Sequence, residues 1–328
     1  MSEYKDAVAK NSLPALRNIS KGKLSLPEIG SKLELPDPPK FVDGYLQSIV
    51  ENLRKLIISP SSLMSKQLKI TTPTVVSKLK CPLDGYSRIC ITKEGDVWLG
   101  GHKSRKLVMV DIKGQVIRRM KMKNRTAALA VMDSGDVILS PHGDDSKSVS
   151  KLMKYGREQR VFDSSPSASF GVSVTSDQKI LICTVDGRVV RINDNGTNAK
   201  EIYKGSRNYS TIHAVENANG NTYISNRTNH AVVIVSRDGL VLSTITQTRD
   251  GRKLQKPKGL VMDKMHNILC ADTDADCVYI IDQNQEMREL VGPSHGIESP
   301  QWLAVDNNEN LWIAQENGNV HVVKYLSA

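Results

Sequence analysis

Aromatic residues are scarce in this chain. It has three Phe and three Trp, and aromatic residues make up 5% of the total, while Val, Ile and Leu are plentiful. That balance favours strands over helices. No stretch approaches 18 consecutive apolar residues, so no helix is expected to span a membrane. The opening residues, MSEYKDAVAKNSLPAL, contain no apolar core of a secretion signal. The five cysteines, Cys81, Cys90, Cys183, Cys270 and Cys277, form no CxxC pair. This excludes zinc fingers, RING domains and B-boxes, which need Cys and His at short spacing. An odd number of thiols, mostly beside apolar runs, points to reduced, buried cysteines and a cytoplasmic protein. A phosphate-binding loop and Ser-His-Asp spacing are also missing.

What the chain does have is moderate apolarity, 39% hydrophobic against 24% charged, and a net charge of +10. Residues 1–70 hold 11 Lys/Arg against 7 Asp/Glu, and the rest hold 34 against 28, so the excess is spread along the chain. A basic balance permits an anionic partner without requiring one.

A repeat of about forty residues organises most of the sequence. The fragments DVWL (Asp96–Leu99), DVIL (Asp136–Leu139), KILI (Lys179–Ile182), NTYI (Asn221–Ile224), NILC (Asn267–Cys270) and NLWI (Asn310–Ile313) begin 40, 43, 42, 46 and 43 positions apart. Each follows an apolar run and a polar turn, as in LAVMDSG or HAVENANG. Each precedes a loop and a third apolar run, such as KLVMVD or AVVIVS. In five units a fourth run follows, such as LVLSTITQ. Four strands per unit, six times, cannot bury both sheet faces unless the units pack around an axis. The spacing therefore predicts an all-β, six-bladed β-propeller over residues 72–328. The last unit stops after its third strand, and residues 72–79 (TPTVVSKL) are expected to supply the missing outer strand and close the ring.

Residues before the repeat read differently. Residues 1–43 are a proline-rich, extended linker, partly disordered. Residues 44–58 (GYLQSIVENLRKLII) carry Leu46, Ile49, Val50, Leu53, Leu56 and Ile57 on one face, predicting an amphipathic helix of about four turns.

The stretch NILCADTDADCVYIID places Asp272, Asp274 and Asp276 between two strands. Alternating carboxylates open a calcium loop, but the Gly and distal Glu such a loop needs are missing. The favoured reading is a turn-forming acidic loop, and no metal or other cofactor is expected.

The six units resemble the NHL-type propeller. IHAVENANGNTYISNRTNHAVVIVSRDGLVLSTI (Ile212–Ile245) matches its acidic-Gly turn, Tyr-containing second strand and Asn-x-x-Asn-His loop, and KGLVMDKMHNILCADTDADCVYIID is similar. Unit two departs from the pattern, with SPHGDDSKS where Asn-His would stand. With the preceding LPEIGSKLELPDPP and the helix, residues 24–328 resemble the C-terminal part of invertebrate tripartite-motif proteins. The resemblance implies a propeller that recruits a target to a ubiquitin ligase. The catalytic RING and the B-boxes of that family have no counterpart in the sequence.

Three functions follow from these features. The first is a non-enzymatic platform for a protein partner, built from variable loops on a rigid scaffold. The alternative is single-stranded RNA bound to a basic upper face. Loops between second and third strands, and connectors between units, lie on one side of a propeller. There the sequence puts His102, Lys103, Arg105 and Lys106, then Lys121, Lys123 and Arg125, then Lys204 and Arg207, and finally Arg249, Arg252, Lys253, Lys256 and Lys258. Phosphates favour such a face, and Tyr209 and Trp302 are the candidates for base stacking. The third is a metal-dependent hydrolase. The starts of the inner strands supply Ser, Arg, Thr, His213 and Gln301 but no carboxylate ring, so the chain is expected not to be an enzyme and not to take a small-molecule substrate.

Overall fold

The structure is a computed structural model that describes residues 68–83, 87–101, 103–142, 147–154, 156–165, 167–206 and 211–327. The extended segment 1–43 and the helix 44–58 anticipated from the sequence lie outside the described residues. The described chain belongs to one unit, Lys66–Ala328.

It forms six four-stranded antiparallel sheets arranged as a β-propeller. Blade one is β2 (Ser87–Ile91), β3 (Val97–Gly101), β4 (Lys106–Val110) and β5 (Val116–Lys121). Blade two is β6 (Arg125–Val131) to β9 (Glu158–Asp163), and blade three is β10 (Ser169–Val174) to β13 (Lys200–Lys204). Blade four is β14 (Thr211–Glu216) to β17 (Val241–Ile245), and blade five is β18 (Pro257–Met262) to β21 (Met287–Val291). Blade six takes β22 (Pro300–Val305), β23 (Asn310–Gln315) and β24 (Asn319–Ser327) from the end of the chain and β1 (Lys69–Lys80) from before the first blade. β1 pairs with β24 from Lys69↔Ser327 to Lys80↔Asn319, so the ring closes through hydrogen bonds between distant parts of the chain.

Burial explains the sequence pattern. Second and third strands lie between blades and are buried on both faces: β15, β16, β19 and β20 are buried at every residue, and β16 and β20 read as unbroken apolar runs. Outer strands face solvent on one side, and β5 alternates exposed and half-buried residues over most of its length. The turns between first and second strands repeat one device. Asn217 Oδ1 accepts from the amides of Asn219 and Asn221, and Asp306 Oδ1 accepts from those of Asn308 and Asn310. Where the chain needs positive φ, Gly220 supplies it at +79°.

Inner strands of adjacent blades come very close at two glycines, Gly171 against Ile212 and Gly259 against Gln301 and Trp302. A Cβ on Gly259 would stand 2.8 Å from both the carbonyl oxygen of Gln301 and Cα of Trp302. No side chain larger than hydrogen fits there without moving blade six.

Candidate functional site: the upper face and the axial channel

The upper half of the channel is filled by side chains. Arg88, only 2% exposed, leaves blade one, donates from Nε to the Ala127 carbonyl of blade two, and lies 4.6 Å over the Trp302 ring of blade six. Its guanidinium is also 6.0 Å from the Phe170 ring centroid of blade three. His213 of blade four is held at both ring nitrogens. Nε2 donates to the Val172 carbonyl at 3.0 Å, and Nδ1 accepts the Leu260 amide of blade five at 3.1 Å. Those partners fix one neutral tautomer. Burial pushes the His213 ring down to about 4, because a charged imidazolium would lose its water. All six blades thus contribute to one plug.

Beside the plug, Lys258 is half-buried and donates to Gln301 Oε1, and Gln301 Nε2 donates to Glu316 at 3.2 Å. Burial, followed by the nearby Lys256 cation, brings the Lys258 amine down to about 8.

The basic residues expected on the upper face fall into two groups. Around blades three to five they are matched by acids or carried off the face. A hairpin in the connector before β18, bridged between Gln247 and Lys253, takes Arg249 and Arg252 along the outer strand of blade five, where the Arg249 amide donates to the Met287 carbonyl at 3.0 Å, Arg249 reaches Glu286 at 3.3 Å and Arg252 pairs with Glu289. Lys256 reaches Asp274 at 3.0 Å. Lys204 is 3.5 Å from Asp186, while Lys253 is exposed. Around blades one and two, Lys103, Arg105, Lys121, Lys123, Arg125 and Lys147 are exposed and make no ion pair among the described residues. The Met122 amide donates to the Arg105 carbonyl at 2.7 Å, which brings the blade-one loop against the connector to blade two. A polar cavity of about 620 Å³ opens beside this group, lined by Lys123, Arg125, Lys147 and Arg160, with Glu158 and Asp163 on its outer wall.

His102, Arg207 and Tyr209 lie outside the described residues, as do Asp144 and Asp145. Trp302 is not available for stacking on the face: it is 4% exposed and locked between Arg88 and His213.

The three aspartates at the end of β19 and just beyond it hold loops together. Both oxygens of Asp272, a fully buried residue, accept backbone amides, from Gln255 and Lys256, each at 2.7 Å. Burial raises its pKa and those amides oppose the rise. Asp276 Oδ1 accepts the Ser299 amide at 2.7 Å, and Asp274 meets Lys256. Among the described residues no three His, Cys, Asp or Glu side chains converge as a metal-binding group. All five cysteines are buried and none forms a disulfide among the described residues.

No protein-family model matches the chain, and no curated protein matches it. Solved structures do share its shape. Virginiamycin B lyase from Staphylococcus aureus superposes with a TM-score of 0.58 at 14% identity, covering 79% of this chain and 99% of that one. An auxiliary nutrient binding protein from Bacteroides thetaiotaomicron gives a TM-score of 0.61 at 10% identity, covering 79% and 76%. The PQQ-bound aldose sugar dehydrogenase from Streptomyces coelicolor gives 0.61 at 9% identity, covering 79% and 100%. At these identities the likeness is one of fold.

These neighbours overturn the expectation that the chain is not an enzyme. That expectation rested on a channel with no carboxylate ring to hold a metal. Two of the three folds just named are enzymes, one a lyase and one carrying an organic cofactor. In the lyase one histidine-to-alanine exchange gives a catalytically inactive protein. The fold is therefore one that can carry catalysis, and the makeup of the inner strands does not exclude an activity here.

Proposed function

We propose that the chain is a binding platform whose upper face, at blades one and two, recruits an acidic segment of a protein partner. The observation that carries this reading is the uneven pairing of charge. Six exposed cations there have no acidic partner among the described residues, whereas those of blades three to five are largely neutralised by Glu286, Glu289, Asp274 and Asp186. Unpaired exposed cations at close quarters repel one another, and an incoming anion relieves that repulsion. The rigid blades fix the backbone that carries the group, so binding orders side chains rather than the chain.

The same charges would attract the phosphates of RNA. Sequence-tolerant RNA binding also needs exposed aromatic faces, and Trp302 is withdrawn into the plug. That favours a protein segment. In a chain of the tripartite-motif kind, this is the face that would receive the target.

Fluorescence polarisation with a labelled 20-residue Asp/Glu-rich peptide and with a randomised single-stranded RNA, each at two salt concentrations, tests the reading. The peptide is expected to bind, more weakly at high salt, and to lose at least tenfold in affinity when Lys103, Arg105, Lys121, Lys123 and Arg125 are changed to Ser. Changing Arg249, Arg252 and Lys253 should leave it nearly unaffected. Preference for the RNA, lost in the first variant, would replace the protein partner by a nucleic acid. Failure of both ligands to bind at low salt would sink the reading.

A further inference from the structure

Below the plug the axial channel is open, and it forms a blind cavity of about 490 Å³. All six inner strands line it, and every lining residue is described. We propose that this cavity binds a small, uncharged and largely apolar molecule at the lower face, on the opposite side from the basic group.

Four observations lead there. The deeper wall is mainly aliphatic, with Ile91, Val131, Val174, Val215, Met262 and Val305 contributed by blades one to six in turn, while Asp133, Thr175, Ser176, Gln178 and Glu216 add polar groups at the ends of the inner strands and the turns that follow. Water gains little from such a wall, so an apolar ligand displaces it favourably. The cavity has a closed inner end at His213, whose two ring nitrogens are already taken by Val172 and Leu260. It therefore offers a ring face and no free proton acceptor.

The charges at the rim are already matched. Glu216 pairs with Arg191, and Asp133 with Lys93 at 3.0 Å. A charged ligand would lose its hydration and find no partner inside, which selects against ions. Cys90 lines the wall, but burial pushes its thiol up to about 12, so it stays protonated and unreactive.

The inner strands also shape the ligand's periphery. Each of β2, β6, β10, β14, β18 and β22 is the first strand of its sheet and pairs on one side only. Its other edge turns toward the axis, presenting backbone N–H and C=O groups. An apolar body with one or two hydrogen-bonding groups at its edge suits this wall. The volume is that of a ligand with about 20 to 30 non-hydrogen atoms.

Nile red, an uncharged fluorophore of this size, is the probe, titrated against the full chain. Saturable one-to-one binding with blue-shifted emission is expected. Met262→Arg places a charge in the wall and Ser176→Trp obstructs the exposed rim, and each should weaken binding at least tenfold. Leu240→Ser with Leu242→Ser removes an exposed apolar pair on the outer edge of blade four, 68% and 46% accessible, and should leave binding unchanged. Circular dichroism reports whether each variant is folded. Where Met262→Arg unfolds the chain, Ser176→Trp decides, since it lies in an exposed turn. The proposal is overturned if the wild type binds no probe saturably. It is also overturned if folded cavity variants bind as well as the wild type, or if the Leu240/Leu242 variant loses the site.

Discussion

The His213 ring stands edge-on to the Trp302 ring, 5.0 Å between centroids and 82° between planes, although the two residues belong to blades four and six. The contact spans the propeller axis. It links blades that share no strand pairing, and it seals the channel. In the usual six-fold arrangement each blade rests only on its two neighbours, so a side chain bonded to blades three and five while packing on blade six is a central tie.

That tie predicts a pH dependence. His213 ionises near 4 in the folded chain, below its ordinary value of 6.5. Between those values the unfolded chain binds one more proton than the folded one. The stabilisation is therefore complete above pH 6.5 and is lost as the pH falls toward 4, by about 3 kcal/mol at most. Denaturant unfolding at pH 7 and pH 4 measures it. His213→Gln should be less stable than the wild type at pH 7 and should lose less between the two values. Equal losses in both proteins would show that other groups control the acid limb.

The close approach at Gly259 gives a second expectation. Gly259→Ala forces a Cβ against backbone atoms of Gln301 and Trp302, which cannot rotate away. A cost of about 3 kcal/mol is expected from overpacking. Gly95→Ala is the control. Its site has open space and only a positive φ of +93°, so about 1 kcal/mol is expected. Thermal melts of both variants separate steric crowding from backbone strain, and similar shifts would mean that the blades move apart freely.

The buried Arg191–Glu216 pair behaves differently from the exposed pairs. Their side chains are 8% and 3% exposed, and Nε and Nη1 of Arg191 have no hydrogen-bond partner. Removing one member strands the other charge, so Glu216→Ala should cost about 3–5 kcal/mol. Replacing both, as Arg191→Met with Glu216→Leu, should be close to neutral or stabilising by about 1–4 kcal/mol. A double variant as unstable as Glu216→Ala would show that the pair earns its place by more than mutual neutralisation.

The sequence carried the blades because their determinants are local. DVIL, NTYI and NILC fall on β7, β15 and β19, where apolar runs between Asx turns leave little choice of structure. The plug was not legible. Arg88, Phe170, His213 and Trp302 come from four units, and His213 meets Val172, 41 residues away in sequence, because the inner strands of blades three and four pack side by side. The charge balance of the basic residues was hidden for the same reason. Arg249 and Glu286 are separated by 37 residues, and counting cations along the chain cannot reveal that a neighbouring strand supplies their acids. Trp302 looked like a surface aromatic because it opens an inner strand, but the first residues of these strands point into the axis that the plug fills.

Asp272 decides whether the acidic loop after β19 is a tie or a cation site. Its carboxylate joins the loop to the connector before β18 through two amides, in a position with no exposure to water. Asp272→Ala leaves the amides of Gln255 and Lys256 without acceptors, and burial of two unmatched donors should cost about 2–4 kcal/mol. Asp272→Asn keeps the shape and one good acceptor, so it should cost roughly half as much. Calcium added to the wild type should leave its melting temperature unchanged, because the oxygens that would bind it already accept hydrogen bonds. A rise in melting temperature with calcium, abolished in Asp272→Asn, would reverse the assignment and make the loop a metal site.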